Sequence, residues 1–227
     1  VTEDIGRIDR ESGTFYPGKS GKGMVVAYSG DTVAKAQIEV VAGDIHKLFI
    51  APNPIRAKAG QPVSLNLYGL DKYGNRVPVP ASAAEWSATA PVGTFENPGR
   101  FLGETMGMGK VSSQMDGLGA EADVSVAPGN PDPENSRIRI TYPALPADGQ
   151  ESSEILVEVR DSFNNPVPGV QVTIVSNRQG DSIFQPSETN EQGLSRGRIS
   201  SAEEGSSTIQ AVVEGRTLMD TAHVQFG

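Results

Sequence analysis

Apolar and polar residues alternate along most of the chain with a period of two. Val63, Leu65 and Leu67 share one parity, as do Ile155, Val157 and Val159, and then Val170, Val172 and Ile174. Successive side chains of a strand point to opposite faces, so each run predicts a strand with one buried side. Next to these runs stand two similar turn sequences, Asp71-Lys-Tyr-Gly-Asn-Arg-Val-Pro78 and Asp161-Ser-Phe-Asn-Asn-Pro-Val-Pro-Gly169. Asp folds its carboxylate onto backbone amides two residues on, Gly or Asn accepts positive φ, and Pro stops pairing. On this reading Asp71, Asn75, Asp161 and Asn165 form turns and are not a ligand set.

Strand signals recur at short intervals without a helical period. Residues 48–50 open one unit, Pro52 and Pro54 interrupt it, 63–68 form the next strand, and 77–80 read as an edge or an irregular extended stretch. Trp86 and Ala88 share a face, which places the single tryptophan in the core. Ala120, Ala122, Val124 and Val126 alternate inward against Glu121, Asp123 and Ser125. Further strands follow at 138–140, 170–175, 208–213 and 222–226. The fold class expected from this pattern is all-β, in antiparallel sandwiches.

An internal repeat divides the chain. Val92-Gly-Thr-Phe95 aligns with Ile5-Gly-Arg-Ile8, Gly109-Lys-Val111 with Gly23-Met-Val25, and Ala120-Glu-Ala-Asp-Val-Ser-Val126 with Ala34-Lys-Ala-Gln-Ile-Glu-Val40. The offset is 87 before a one-residue gap and 86 after it. Residues 1–43 are therefore expected to be the C-terminal half of a repeat whose first half is not in this chain. Residues 44–129 and 130–227 are each expected to form a complete unit. A half sandwich leaves its inner face uncovered, so the missing half is counted among the expected partners. Gly129-Asn-Pro-Asp-Pro-Glu-Asn-Ser136 reads as a stiff linker.

Composition narrows the function classes. The formal net charge is −9, and residues 130–227 hold most of the excess, with 14 acidic against 7 basic residues. Such a surface repels phosphate, which argues against nucleic acid. No apolar run is long enough for a membrane span, so no membrane insertion is expected. The absence of cysteine excludes disulfides, thiolate catalysis and cysteine-ligated metals.

Candidate chemistry is sparse. His223 sits on the outward parity beside Ala222 and Val224, and His46 lies in the short junction between units, so neither is expected to be catalytic. Asp44, Asp132, Glu134 and Asn135 cluster near the junctions, where two readings apply: calcium ligands or ordinary linker residues. No Asp-x-Asp-x-Asp-Gly loop occurs, which favours the second, and no cofactor is expected. Tyr68 and Tyr73 flank the first turn and offer rings to a glycan in an alternative reading. Met106 and Met108 lie in a glycine-rich stretch, 103–109, read as a mobile hairpin because no strand-then-helix context for a phosphate loop surrounds it. No catalytic, cofactor-binding or metal residue is assigned.

The stretch Asp161-x-x-Asn-Asn-Pro-Val-Pro-Gly-Val-x-Val-Thr-Ile174, then Thr189-x-x-x-Gly193, then Ser206-Ser-Thr-Ile-Gln-Ala-Val-Val-Glu-Gly215, resembles the bacterial immunoglobulin-like domains of the invasin and intimin group. Residues 44–129, with Asp71-x-x-Gly-Asn-x-Val-Pro78 and Glu85-Trp-Ser, resemble related repeats of secreted and S-layer-associated proteins. The resemblance implies tandem immunoglobulin-like β-sandwiches in a protein that is extracellular or on the bacterial cell surface. It further implies a non-catalytic stalk that displays another module. Two alternatives stand beside it: an adhesion module gripping a glycan or host protein with its loops, and an accessory region of an enzyme whose catalytic domain lies elsewhere.

Overall fold

The computed structural model describes residues 4–227. Apart from one turn of 3-10 helix at Ala81–Ala83, every regular element among the described residues is a strand. The first stretch forms two hairpins, β1 (Gly6–Ile8) with β2 (Phe15–Pro17) and β3 (Gly21–Ser29) with β4 (Thr32–Val40). Then come β5 (Lys47–Ala51), β6 (Ile55–Lys58), β7 (Pro62–Ser64), β8 (Asn66–Leu70), β9 (Arg76–Val79), β10 (Glu85–Ala88), β11 (Gly93–Asn97), β12 (Arg100–Gly103), β13 (Gly107–Met115) and β14 (Leu118–Ala127). The remainder holds β15 (Arg137–Ile140), β16 (Ala144–Leu145), β17 (Ser153–Glu158), β18 (Val172–Ser176), β19 (Asp181–Phe184), β20 (Leu194–Ser201), β21 (Gly205–Val213), β22 (Arg216–Thr217) and β23 (Ala222–Phe226).

Residues 44–129 pair as β5-β8-β9, β10-β13-β14-β6 and β11-β12-β7. From residue 137 onward the sheets are β15-β17-β20-β19 and β16-β23-β21-β18, with β22 beside β21. Facing sheets enclose two separate apolar clusters. One centres on Ile55, Leu67, Phe101, Val111 and Val124; the other on Ile155, Ile174, Ile199, Ile209 and Phe226. The opening strand of each region divides between sheets. After β5 pairs with β8, β6 runs parallel to β14; after β15 pairs with β17, β16 runs parallel to β23. Prolines 52, 54 and 143 stand in these crossings, where a missing N–H costs no ladder bond.

The internal repeat is exact in register. Gly21 pairs with Val40, and Gly107 with Val126; Val25 pairs with Ala36, and Val111 with Ala122. The environments differ. Ala122 and Val111 are 1% and 0% exposed under the sheet that carries β5 and β8, whereas Ala34 and Ala36 are exposed and Val25 is only half-buried.

Three expectations need correction. The run 63–68 is two strands: β7 pairs with β12 and β8 with β5, while the Leu65 N–H between them donates to the Gly99 carbonyl at 2.7 Å. A chain that crosses from one sheet of a sandwich to the other keeps its inward parity, so alternation does not reveal the crossing. Residues 103–109 are not a hairpin, since β12 and β13 lie in different sheets and the stretch joins them. Trp86 lies at the margin of the core and not at its centre. It is half-buried, its indole N–H donates to the Ala81 carbonyl at 2.9 Å, and Phe95 separates it from the fully buried Phe101.

Candidate functional site

Each Asp-to-Asn turn has the same internal geometry. The Asp71 N–H donates to the Asn75 carbonyl at 3.0 Å, and the Gly74 N–H to the Asp71 carbonyl at 3.0 Å; Asp161, Asn164 and Asn165 repeat both bonds at the same distances. Asp71 Oδ1 accepts from the N–H groups of Tyr73 and Asn75, as Asp161 Oδ1 does from Phe163 and Asn165. Gly74 and Asn164 occupy the left-handed region, with φ of 80° and 65°. Glycine enters it freely and asparagine more readily than other side-chain-bearing residues.

What these turns hold lies outside them. Asn75 Oδ1 accepts from the Ser20 N–H at 2.7 Å while its amide donates to the Gly18 carbonyl at 2.9 Å, 57 residues back. Its other amide hydrogen goes to Asp71 Oδ2 at 2.9 Å, which also accepts from the Gly43 N–H at 2.9 Å. At the second turn Asn165 accepts from Met106 at 2.9 Å and donates to the Glu104 carbonyl at 2.7 Å, and Asp161 Oδ2 accepts from Gly129 at 2.6 Å. The side-chain amide of Asn thus behaves as an added peptide group bonded to the β2–β3 or β12–β13 connection of the preceding region, and Asp ties the connecting segment to the same turn. All four side chains are buried: Asp71 5%, Asn75 6%, Asp161 0% and Asn165 4% exposed.

The charge on Asp71 is well held. Burial pushes its carboxyl upward, but the N–H of Gly43, the amide and N–H of Asn75, and the N–H of Tyr73 together outweigh that push and hold it far below the usual carboxylate range. The segment before the second turn is similarly fastened: Asp132 Oδ1 accepts from Glu134 and Asn135, the Asp132 N–H donates to the Arg160 carbonyl at 2.7 Å, and the Asn135 amide donates to the Asp161 carbonyl at 3.1 Å. A glycine is needed within it. A Cβ on residue 129 would stand 2.9 Å from the Ala59 carbonyl oxygen and 3.1 Å from Asp161 Oδ2.

The other sequence candidates are scattered. His46 and His223 are exposed, and His223 Nδ1 lies 3.2 Å from the Thr208 hydroxyl. Asp132, Glu134 and Asn135 form a local turn, Asp44 lies at the other junction, and among the described residues no group of three or more His, Cys, Asp or Glu side chains is arranged to hold a metal ion. Tyr68 has one face under the Arg76 guanidinium, 3.4 Å from the ring centre, and stacks on Phe49; Tyr73 is exposed. Met108 is exposed, while the backbone of Met106 is fixed by Asn165. Sequence reading found the Asp and Asn of each turn and missed their partners. The signal was present in the repeat itself: Gly18, Ser20 and Gly43 stand 86 residues before Glu104, Met106 and Gly129, as the two turns stand 90 apart.

Residues 135–227 match the family described as bacterial Ig-like domain (group 1). Among solved structures, that of the Escherichia coli adhesin FdeC aligns with a TM-score of 0.61 at 17% identity, over 92% of this chain and 74% of that one. Invasin, titled a bacterial integrin-binding protein, aligns with a TM-score of 0.54 at 20% identity, over 92% of this chain and 46% of that one. The chain thus spans three quarters of the first and under half of the second. At these identities the likeness is one of fold, the immunoglobulin-like sandwich. A search of curated protein sequences finds no significant match. No helix among the described residues is long and apolar enough to cross a membrane.

Proposed function

We propose that this chain, whose residues 135–227 match a bacterial Ig-like domain, is a non-catalytic spacer of a bacterial surface or secreted protein. In that reading residues 44–129 and 130–227 are successive sandwiches, 1–43 belong to a preceding one, and the run holds another module away from the envelope. The observation that carries it is the repeated clasp. A spacer must transmit position, and position is lost when linkers are free to swing. Here the same two residues, the Asp and the Asn of each turn, reach back at both junctions and convert a flexible connection into a bonded one. The likeness in fold to an adhesin and to an integrin-binding protein supports placement at the cell surface.

The test uses the natural absence of cysteine. Spin labels at Ser125→Cys and Thr173→Cys, both at exposed strand positions, report the distance between the two sandwiches. One narrow distribution is expected, broadened by Asn165→Ala. A distribution as broad with Asn165 as without it would remove the basis of the spacer reading.

A further inference from the structure

Charge in the last region is sorted by face. Residues 130–227 carry 7 arginines and no lysine against 14 acidic residues. Five of those arginines stand on one side of the β15-β17-β20-β19 sheet. Arg137 and Arg139 on β15, and Arg196 and Arg198 on β20, alternate with the buried Ile138, Ser195, Gly197 and Ile199 and so point outward; Arg160 follows β17 on the same parity. β17 gives this face two carboxylates, and both are engaged. Arg196 Nε donates to Glu154 Oε1 at 3.4 Å, and Arg160 Nε to Glu158 Oε1 at 2.8 Å. Outside this face the other 12 acidic residues of the region stand against two arginines, Arg178 and Arg216.

Two cations of the face have no partner. Arg139 and Arg198 are exposed, and among the described residues neither guanidinium makes a hydrogen bond or ion pair. Arg198 is the register partner of Phe184, and Ser200 of Ser182 on the edge strand β19. Phe184 is 72% exposed. Beside its ring a cleft of about 220 Å³ is lined by Gln150, Ser152, Ser182, Phe184, Arg198 and Ser200. In the corresponding sheet of residues 44–129 the same kinds of side chain satisfy one another: the Arg76 guanidinium covers Tyr68, which stacks on Phe49.

This combination selects among ligands. A guanidinium fork bonds an oxyanion, an exposed ring accepts the C–H face of a sugar, and hydroxyls and an amide at its border meet the sugar hydroxyls. An acidic peptide adding as a strand uses a sheet edge, whereas the arginines, ring and cleft lie on the sheet face. Arg198 and Arg196 are about 7 Å apart along β20, and Arg139 lies about 10 Å from Arg196 across β17, so the cations form a track leading away from the cleft. We propose that the outer face of β15-β17-β20-β19 binds an acidic polysaccharide. One sugar ring rests on Phe184 in the cleft, Arg198 holds its carboxylate or sulfate, and the chain continues over Arg196 toward Arg139. The negative charge of the remaining surface repels a polyanion and confines it to this face. The inference goes beyond the spacer reading and stands whether or not the chain acts as a spacer.

Three oligosaccharides of equal length are titrated into the full chain: a sulfated heparin fragment, an oligogalacturonate and a neutral malto-oligosaccharide. One or both acidic chains are expected to bind, shifting amide resonances on β15, β17, β19 and β20 and the ring resonances of Phe184, and to weaken as salt is raised. The acidic probe that binds tells sulfate from carboxylate. Arg198→Ala is expected to weaken binding about tenfold and Phe184→Ala to weaken it as well, with melting temperatures unchanged because both positions are exposed. Arg56→Ala, exposed in the preceding region, is expected to leave binding unaltered. Silence from both acidic chains at low salt overturns the proposal, as does equal binding of the neutral one or a loss with Arg56→Ala as large as with Arg198→Ala. Polyglutamate bound as tightly as the acidic sugars and indifferent to Phe184→Ala overturns it by making the occupant an acidic peptide. Salt-sensitive self-association that covers the same face overturns it by making the occupant a second copy.

Discussion

At the scale of single residues, the clasp distinguishes Asn from its nearest isosteres. Asn165→Ala leaves the Met106 N–H and the Glu104 carbonyl, joined to it by part-buried bonds, without their partner, a loss of about 1 kcal/mol. Asn165→Asp keeps the acceptor for Met106 but points a second carboxylate at Asp161 Oδ2, where the amide now donates at 2.9 Å. Two close carboxylates resist joint ionisation. Urea denaturation at neutral pH is expected to rank wild type above Ala and Ala above Asp, with the Asp deficit shrinking in acid as one carboxyl gains a proton. Asp71 titrates in the opposite sense. Its folded carboxyl lies below the unfolded value of about 3.9, so its contribution is complete above that pH and is lost as pH falls toward the folded value. The melting-temperature difference between wild type and Asp71→Asn is therefore expected to be constant from pH 7 to about 5 and to fade below about 3.9. A difference that grows in acid would contradict this account.

At the scale of elements, the alternation of Ala120 to Val126 named the buried face of β14, and the turn vocabulary of Asp71 and Asp161 named the bends. Both are local, because strand parity and Asx turns are properties of a few adjacent residues. The split of residues 63–68 between two sheets was not legible, because it depends on Gly99 offering a carbonyl to Leu65 from the β11–β12 turn. Nor was the buried group on β19. Asp181 Oδ2 accepts from the Ser176 and Ser207 hydroxyls at 2.5 and 2.6 Å, and Arg178, 3.9 Å from Oδ1, donates to the Glu203 and Glu204 carbonyls at 2.9 and 3.1 Å. This ties the β18–β19 connection to the turn before β21. Removing the cation alone leaves the buried carboxylate with two hydroxyl donors and no counter-charge, so Arg178→Met is expected to cost about 3 kcal/mol, read by thermal or urea unfolding. Replacing Arg178 and Asp181 together with apolar residues is expected to recover much of that loss.

At the scale of the whole molecule, the two apolar clusters are distinct, so any mechanical coupling between them passes through the junction. Sequence reading placed Asp161 and Asn165 correctly in a turn and did not assign them a partner, because Glu104 and Met106 contribute only backbone atoms, whose place shows only in the shared spacing of the repeat. The coupling is measurable because the single Trp86 reports the 44–129 core while the last region holds no tryptophan. Ile174 is 1% exposed in the second cluster, and Ile174→Ala is expected to destabilise that cluster by about 2–5 kcal/mol. Once the last region unfolds first, the middle one loses Asn165 and Asp161 as partners, and the Trp86 transition moves to lower urea although no residue near Trp86 has changed. In an Asn165→Ala background most of that shift is expected to vanish, because the main link is already cut; the difference between the two backgrounds is the coupling energy. A Trp86 transition indifferent to Ile174→Ala in the otherwise natural chain would mean that the two apolar clusters share a connection but no load.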